Sequence, residues 1–536
     1  MTIAFVLTLV VLGAAWAAPS VLAHRAPGPW WRPRADSARW ATRRDLGPLA
    51  VRRRPPGQVV LGHASRRLVV SDPAHSVLIV GPTQSGKTSA VAVPAILEWE
   101  GPVVAASVKA DLARHTAPWR ARLGPTWVYD PSGVAQDDLV DLGARPVWWT
   151  PVAAAGTWAG ARRVTASLVE AARDGDAPMT DGDFWFASAA KLIAPLLHAA
   201  ACAGGEIGDV IRWLDEQDEE QPSRALQAAG AAVALRAAQA CWARDARQRS
   251  GVYATAEHVL AAYVELGDPP TASGGHPAAA QPSGAFVPAA TLGGTTTLFL
   301  CAPAHQQRRL RPLFAALVGE VVHAAIEHAE RFGRRLDPPL LVVVDEAANV
   351  APIADLDVLA ATAAGHGIQL LTVWQDLAQI TSRYGPRAGT VVNNHRAKLF
   401  LSGIADPATL EHASVLVGDV DDRQRTTSVD HQGRRTTAVA PGRRRLLPAD
   451  ALRRLEPGAG VLVCGHRQPA RLRLRPWFED RRLTARATAA HPPVGDDGLG
   501  EPLASAAPVP ADRRRRRAAA AGRRADEPGA GTVPVP

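Results

Sequence analysis

Cysteine is nearly absent from this chain: 536 residues hold four, Cys202, Cys241, Cys301 and Cys464. None stands in a C-x-x-C pair. That spacing excludes a zinc ribbon and a disulfide framework, and it leaves buried thiols in a reducing compartment as the reading. Lysine is as scarce. Of 60 Lys and Arg residues only Lys87, Lys109, Lys191 and Lys398 are lysine. In so Arg-biased a chain, a lysine marks a place that needs a compact point charge and does not fit a planar guanidinium. Acidic residues fall short of basic ones and leave a formal net charge of +9. That balance suits a polyanionic partner, nucleic acid or an anionic membrane surface; a merely solvated surface is the other reading, because much of the excess sits in the two ends. Strand signals are missing between about residues 156 and 284, and no winged-helix pattern follows the last of them.

What is present organises itself around residues 76–89. An apolar run, Val77–Val80, breaks into Gly81-Pro82-Thr83-Gln84-Ser85-Gly86-Lys87-Thr88-Ser89 and then into a helix-compatible stretch at 90–99. Strand, Gly-rich loop and helix in that order read as a nucleoside triphosphate site. Gly81 and Gly86 let the backbone turn its N–H groups around an anion, and the helix N-terminus adds its positive end. Lys87 would reach the β- and γ-phosphates, and Thr88 would hold Mg²⁺.

A second motif completes this one. The apolar run at 340–344 ends in Asp345-Glu346. Such a run builds a strand buried on both faces, and its C-terminal end would bring Asp345 to the metal's outer shell and Glu346 to a water near the γ-phosphate, as the base. Gln375 ends the next apolar run, 368–374, where it would bond the γ-phosphate or orient the attacking water. Lys109 and Asp111 follow another strand, and a local salt bridge explains them as well as a role in the site does. A ring ATPase also needs an arginine from a neighbouring subunit; Arg396 is the first candidate, with anchoring of the strand after it as the other reading. The Leu401-Ser402-Gly403 triplet stands on the wrong side of the Asp-Glu strand to be a transporter-ATPase signature.

The rest of the chain divides by composition. Residues 3–23 carry no charge over 21 positions, long enough as a helix to cross about 30 Å of hydrocarbon. A membrane anchor is the expectation over a cleaved signal peptide, since Met1-Thr2 supplies no basic n-region. The Arg- and Pro-rich stretch that follows is expected on the cytoplasmic side. Short apolar runs at 102–107, 125–129, 295–301, 340–344, 368–374 and 397–401, spaced by helical stretches, predict βα units and a largely parallel sheet. The runs at 461–464 and 470–474 predict a hairpin at the sheet edge. Helical periodicity at 187–203, 207–214, 223–243 and 256–266 predicts an all-α insertion closed by a Pro, Gly and Ser-rich loop at 268–283. After Trp477 the Ala, Pro, Gly and Arg composition, with five arginines at 513–517, predicts a disordered tail.

These motifs resemble the TraG/TraD-like coupling proteins of type IV secretion, the conjugative DNA-transfer ATPases. The likeness rests on the phosphate loop, Ser107-Val108-Lys109-Ala110-Asp111, Asp183-Phe184-Trp185, and above all the block from Asp345-Glu346-Ala347-Ala348-Asn349-Val350-Ala351-Pro352 through Gly365-His366-Gly367-Ile368-Gln369 to Gln375-Asp376-Leu377-Ala378-Gln379. Residues 393–403 continue it, and it covers roughly residues 58–477. The resemblance implies an α/β fold: a RecA-like P-loop ATPase domain with an inserted all-α domain and an N-terminal transmembrane helix. The boundaries expected are an anchor at 1–24, a basic juxtamembrane linker at 25–57, the nucleotide-binding domain at 58–155 and 286–478, the all-α insert at 156–285 and the tail at 479–536. It also implies ATP and Mg²⁺ as ligands, a membrane anchor, a homo-hexameric ring, single-stranded DNA as cargo, and relaxosome or secretion-channel proteins as partners; this chain departs from it in showing one anchor run where many members have two, so a single-pass cytoplasmic-membrane protein is the expectation. Two other functions fit the residues: a cell-division-type translocase of double-stranded DNA, and a cargo-docking platform that binds ATP structurally.

Overall fold

The computed structural model describes residues 37–107, 110–134, 136–173, 182–266, 286–429, 432–433 and 435–490. The expected anchor, the linker as far as residue 36, Lys109, the loop at 268–283 and the arginine run at 513–517 lie outside the described residues. The strands in chain order are β1 (Ala50–Val51), β2 (Val60–Ala64), β3 (Arg67–Val70), β4 (Val77–Val80), β5 (Val103–Ser107), β6 (Thr126–Tyr129), β7 (Arg145–Pro146), β8 (Thr297–Cys301), β9 (Leu340–Val344), β10 (Ile368–Trp374), β11 (Ala397–Leu401), β12 (Asp419–Val429), β13 (Arg435–Arg445), β14 (Ala459–Cys464) and β15 (Ala470–Arg473). The described residues fall into two compact units, one within the bounds Met1–Val108, Arg173–Gly182 and His328–Ala487, the other within Lys109–Ala172, Asp183–Glu327 and Thr488–Pro536.

The first unit is built on parallel strands in the order β11-β4-β10-β9-β5. Every residue of these five is buried, which is why each reads as a mainly apolar run, interrupted only by Ser107 in β5, Gln369 and Thr372 in β10 and Lys398 in β11: a strand covered on both faces has no polar side. The register sets Val80 beside Trp374 and Phe400, and Val344 beside Thr372 and Ala106. The strands β4 and β10 therefore end level, β11 runs one residue further, and β9 stops two residues short of β10. The loops leaving β4, β9 and β10 start from one end of the sheet.

Antiparallel strands extend the sheet beyond β11 in the order β14-β15-β2-β3-β1. The β14–β15 hairpin forms where the sequence predicts it, but it is not at the edge. The β2–β3 hairpin, which the sequence does not announce, lies outside it, turning at Ser65 with φ 56°. Residues 37–57, expected as a linker, are partly folded here: Leu46 and Leu49 are buried, and β1 pairs with β3. Order also runs past residue 479, where composition places the start of the tail. Asp480 accepts from the backbone N–H of Arg482 and Leu483, starting the helix Arg481–Ala487, whose Arg486 donates to the Leu97 carbonyl at 2.8 Å. The strands β12 and β13 form a separate two-stranded sheet.

The second unit carries β8-β6-β7, all parallel. Its helix Asp111–Leu123 is tied to β8 by the buried Arg120, whose Nε donates to Thr297 Oγ1 at 2.7 Å and Nη2 to the Thr295 carbonyl at 2.9 Å. Burial lowers the Arg120 pKa to about 10, still well above neutrality. Residues 156–285 are helical where described, with no strand among the described residues: Trp158–Ala172, Gly182–Ala203, Ile207–Asp215, Glu220–Ala228, Ala232–Trp242 and Ala246–Leu266. The alanine-rich run at 223–243 is two helices rather than one, because the chain turns at Gly230 with φ 66°. The helix Gly182–Ala203 is the one helix among the described residues long and apolar enough to cross a membrane; its Leu192, Ile193, Leu196 and Leu197 are buried.

Candidate functional site

The loop leaving β4 is shaped by two glycines for different reasons. At Gly81 a Cβ would lie 2.6 Å from Ser85 Oγ and 2.9 Å from Leu401 Cβ, so close packing excludes any side chain. At Gly86 the constraint is φ 88°, a left-handed backbone shared by Gln84 at φ 65°. The Ser85 N–H donates to the Pro82 carbonyl at 3.3 Å and the Ala90 N–H to Gly86 at 2.8 Å, which closes the turn onto the helix. That helix opens as a π-type turn, Thr88–Ala92, before Val93–Glu98 becomes α-helical. Thr83 and Gln84 are exposed at the tip, while Pro82, Thr88 and Ser89 are half-buried.

Lys87 lies under this loop, 7% exposed. Its Nζ donates to the carbonyls of Gly81 at 2.5 Å and Pro82 at 2.8 Å. Burial lowers its pKa, and the nearby carboxylates of Asp345, Glu346 and Asp376 oppose the shift. Asp345, one residue past β9, is 5% exposed. Its Oδ2 accepts from Thr88 Oγ1 at 2.8 Å and from Ser107 Oγ at 3.4 Å, while its Oδ1 is buried with no partner. Burial raises its pKa, Thr88 works against that, and the Glu346 charge adds to it.

Glu346 has φ 57°, a conformation a side-chain-bearing residue adopts at a cost of roughly 1–2 kcal/mol. Its own carbonyl, accepting from the N–H of Asn349 at 2.9 Å and Val350 at 3.1 Å, and the Ala347 N–H, donating to Val373 at 3.0 Å, hold the strained turn in place. Strain of this kind gathers at functional sites. Gln375 follows β10, half-buried. Its N–H donates to Gln379 Oε1 at 3.0 Å, and Asp376 caps the helix Leu377–Tyr384 by accepting from the Gln379 N–H at 2.8 Å.

The structure thus brings residues 81–89, Asp345, Glu346 and Gln375 to the carboxyl end of one parallel sheet, where open α/β sheets bind ligands. A thread-through of backbone N–H groups, a helix start and a buried lysine suit an anion with several phosphate oxygens. A divalent cation of the Mg²⁺ type, which takes oxygen ligands and shares them with phosphate, fits the Thr88 hydroxyl and the Asp345 carboxylate with its unpartnered Oδ1. Among the described residues no group of three His, Cys, Asp or Glu could hold a metal alone.

Some contributors escape sequence reading. Ser107 and Asp376 support the site through the contacts above. The Leu401-Ser402-Gly403 triplet packs on the loop: Leu401 borders Gly81, and a Cβ at Gly403 would sit 3.3 Å from Pro82 Cγ. The signal for it is that β11 pairs in parallel with β4. Arg396 precedes β11 at the opposite end of that strand from the loop, exposed, with its carbonyl accepting from the Gly465 N–H at 2.9 Å. Asp111 sits 3.7 Å from Arg114 in its own helix.

Residues 43–493 match the family described as type IV secretory system conjugative DNA transfer. The Conjugal transfer protein TraG of Escherichia coli is 24% identical over 440 residues, which cover 73% of this chain and 66% of that relative, so the chain spans just under two thirds of its length. Among solved structures, the bacterial conjugative coupling protein TrwBdeltaN70 in its unbound monoclinic form is similar, with a TM-score of 0.60, 17% identity, and coverage of 82% of this chain and 93% of that one. The plasmid coupling protein TrwB in complex with ADP and Mg²⁺ gives a TM-score of 0.60 at 16% identity, covering 82% and 93%. At such identities the likeness carries the fold: mixed α/β around a large parallel sheet.

Proposed function

The chain belongs to the type IV secretory system conjugative DNA transfer family, and from that premise we propose that it is a coupling protein: a membrane-anchored, ATP-driven translocase that delivers single-stranded DNA, or a nucleoprotein, to a conjugative secretion channel. The observation that carries the reading is the convergence of the phosphate loop, Asp345, Glu346 and Gln375 at one sheet end, with Thr88 Oγ1 2.8 Å from Asp345. A relative of the same fold is described in complex with ADP and Mg²⁺, which supports ATP as substrate and Mg²⁺ as its cation here. The reading includes a RecA-like domain from residues 58–155 and 286–478, an all-α insert at 156–285, a cytoplasmic bulk, a homo-hexameric ring and relaxosome or channel proteins as partners. The uncharged run at 3–23 supports the anchor, and the basic excess supports DNA.

In the catalytic cycle backbone N–H groups of the loop from Thr83 to Ser89 bind the phosphates, and Lys87 exchanges the Gly81 and Pro82 carbonyls for β/γ oxygens. Thr88 and Asp345 would hold Mg²⁺, which when bound neutralises charge on the phosphates. Glu346 takes the proton of the water that attacks the γ-phosphorus as the β–γ bridging P–O bond breaks and ADP leaves, and Gln375 orients that water or the γ-phosphate.

The test is ATP hydrolysis by the full chain in detergent, alone and with single-stranded or duplex DNA, beside Lys87→Ala and Glu346→Gln. Stimulation by single-stranded DNA that both substitutions abolish is the expected result. Preference for duplex would favour the division-type translocase, and ATP binding without DNA-dependent turnover would favour the docking platform.

A further inference from the structure

Basic residues gather in one stretch of the first unit that no acid balances. Residues 43–67 hold seven arginines against one acid, Asp45. Asp45 is already taken: it accepts from Arg39 at 2.6 and 2.7 Å and from the Thr42 N–H at 2.7 Å. Arg54 is half-buried and also committed, its Nη1 donating to the Gln58 carbonyl at 3.2 Å and its Nη2 to Glu100 at 3.0 Å. The other six are Arg43, Arg44, Arg52, Arg53, Arg66 and Arg67, and none of them pairs with a carboxylate among the described residues.

The fold brings these arginines together. Strand β1 pairs antiparallel with β3, Ala50 opposite Val69 and Val51 opposite Leu68, so the next positions in line are Arg52 and Arg67. Like charges that face each other across two strands cost stability. Arg43, which opens the short helix Arg43–Leu46, adds a third cation: desolvation lowers the Arg67 pKa, and the charges of Arg43 and Arg52 lower it further. Arg44, Arg53 and Arg66 adjoin these three in the chain. Arg67 is half-buried and the other five are exposed, on a backbone that the buried Leu46, Leu49 and Val69 hold in place.

A cluster of unpaired cations that works against the protein's own stability calls for anions from outside it, and the place of the cluster in the chain selects their source. Thirteen residues separate the uncharged run at 3–23 from Ser37. Such a length reaches at most about 50 Å, so an anchored chain keeps the cluster near the bilayer. Arginines gathered on the cytoplasmic side of a membrane helix attract anionic headgroups. Residues 41–98 hold no Phe, Tyr or Trp, so the stretch lacks the aromatic rings on which single-stranded nucleic acid stacks its bases. We propose that Arg43, Arg44, Arg52, Arg53, Arg66 and Arg67 form a docking surface for the anionic phospholipid headgroups of the cytoplasmic leaflet, which seats the first unit on the membrane. The inference rests on the membrane-anchored reading and adds to it a second, electrostatic contact made by the folded unit itself.

The experiment reads the lipid preference of the full chain, reconstituted into phosphatidylcholine liposomes that carry a trace of acyl-labelled dansyl phosphatidylglycerol or, in parallel, of acyl-labelled dansyl phosphatidylcholine. Energy transfer from tryptophan to dansyl gives the relative association constant of the two lipids. Wild type is expected to prefer phosphatidylglycerol, and KCl should weaken that preference, since surface attraction fades within a Debye length. The variant Arg43→Gln, Arg44→Gln, Arg52→Gln, Arg53→Gln, Arg66→Gln should lose about tenfold of the preference or more. Its melting temperature and its ATP hydrolysis without DNA should match wild type, and the corresponding Lys variant, which keeps the charge, should keep the preference. An undiminished preference in the Gln variant overturns the docking surface while leaving the anchor intact, whereas wild-type protein that alkaline carbonate strips from the liposomes overturns both. Equilibrium binding of oligo-dT and of a duplex supplies the remaining arm: a Gln variant that loses DNA affinity with its lipid preference unchanged means that the cluster meets nucleic acid, and the proposal fails.

Discussion

In the proposed site Asp345 trades the protein's own stability for ligand binding, and Asp345→Asn exposes the trade. The carboxylate is 5% exposed and its Oδ1 has no partner. A buried, unsatisfied polar group costs about 1–3 kcal/mol, and more when charged. Asparagine keeps the shape and keeps an oxygen for the Thr88 hydroxyl, but it removes the charge and leaves a neutral amide in the unpartnered position. The net gain for the nucleotide-free protein is the difference between the charged and neutral costs, about 1–2 kcal/mol after the lost attraction to Lys87 is set against it. In a unit of this size that raises the melting temperature by roughly 2–6 °C. With Mg²⁺ and ADP at a hundred times the dissociation constant, wild type gains about 2.7 kcal/mol and the variant gains little, so the order of stabilities inverts.

Differential scanning fluorimetry of both proteins, in EDTA and then in Mg²⁺ and ADP, reads both halves. The pH dependence adds a check on sign. Burial raises the Asp345 pKa above the ordinary carboxylate value, so the folded state binds its proton more tightly than the unfolded chain does. The cost is then in force at pH above the raised pKa and is relieved as pH falls through it, and the gap between the two proteins should narrow on acidification. An asparagine variant less stable than wild type in EDTA, or one that Mg²⁺ and ADP stabilise as much as wild type, refutes the account.

Three further outcomes follow from the geometry. Gly81→Ala puts a methyl 2.6 Å from Ser85 Oγ and 2.9 Å from Leu401 Cβ; overpacking by about 1–3 kcal/mol should displace the loop and weaken nucleotide binding tenfold or more by isothermal titration, and near-wild-type affinity would contradict it. His395, fully buried, has its pKa lowered by desolvation to about 4. Its folded value lies below the unfolded value of about 6.5, so stability should fall by about 3 kcal/mol as pH drops from 6.5 to 4; urea midpoints of wild type and His395→Gln that fall in parallel over this window would show that His395 is not the titrating group. Arg475 donates to both Glu98 oxygens at 3.0 and 2.9 Å and to Asp480 at 2.8 Å; Arg475→Ala strands these carboxylates and should cost about 3 kcal/mol, and a urea midpoint within error of wild type would show the cluster to be dispensable.

The parts of the fold legible in the sequence are those whose burial is complete. The strands β4, β5, β9, β10 and β11 are covered on both faces, so β4 and β9 are wholly apolar and the other three are apolar but for Ser107, Gln369, Thr372 and Lys398. The phosphate loop and Asp345-Glu346 could be read because their residue types sit at the ends of such runs. The strands β2 and β3 could not, since each is buried over only part of its length and His63, Arg66 and Arg67 break the pattern. The β12–β13 ribbon is hidden for a related reason: its pairing is between backbones, and residues 419–445, with no Leu, Ile, Met, Phe, Tyr or Trp, hold no apolar run to detect. Missing β2 and β3 is what misplaced the β14–β15 hairpin at the sheet edge.

The support of the site was illegible for a different reason, one that concerns distance along the chain rather than composition. Thr372 is a polar residue in a strand otherwise apolar but for Gln369, and by itself it looks like a blemish. In the fold its Oγ1 accepts from Trp374 Nε1 at 3.0 Å and lies 3.1 Å from His395 Nε2, while His395 Nδ1 lies 2.8 Å from the Val391 carbonyl. Since a carbonyl can only accept, His395 must carry its proton on Nδ1 and accept from the Thr372 hydroxyl on Nε2, which is the neutral form that its lowered pKa favours. The far side of Trp374 meets Tyr384 edge-on at 6.2 Å, and the Tyr384 hydroxyl donates to the Ile353 carbonyl at 3.0 Å. Trp374, the residue before Gln375, is therefore held by Thr372 two positions back and by Tyr384 ten positions on, and these are anchored in turn by His395 and the Ile353 carbonyl, each 21 positions from it. A buried polar chain with every donor matched fixes one arrangement and penalises the alternatives, and here the arrangement it fixes is the exit of β10 toward the candidate site.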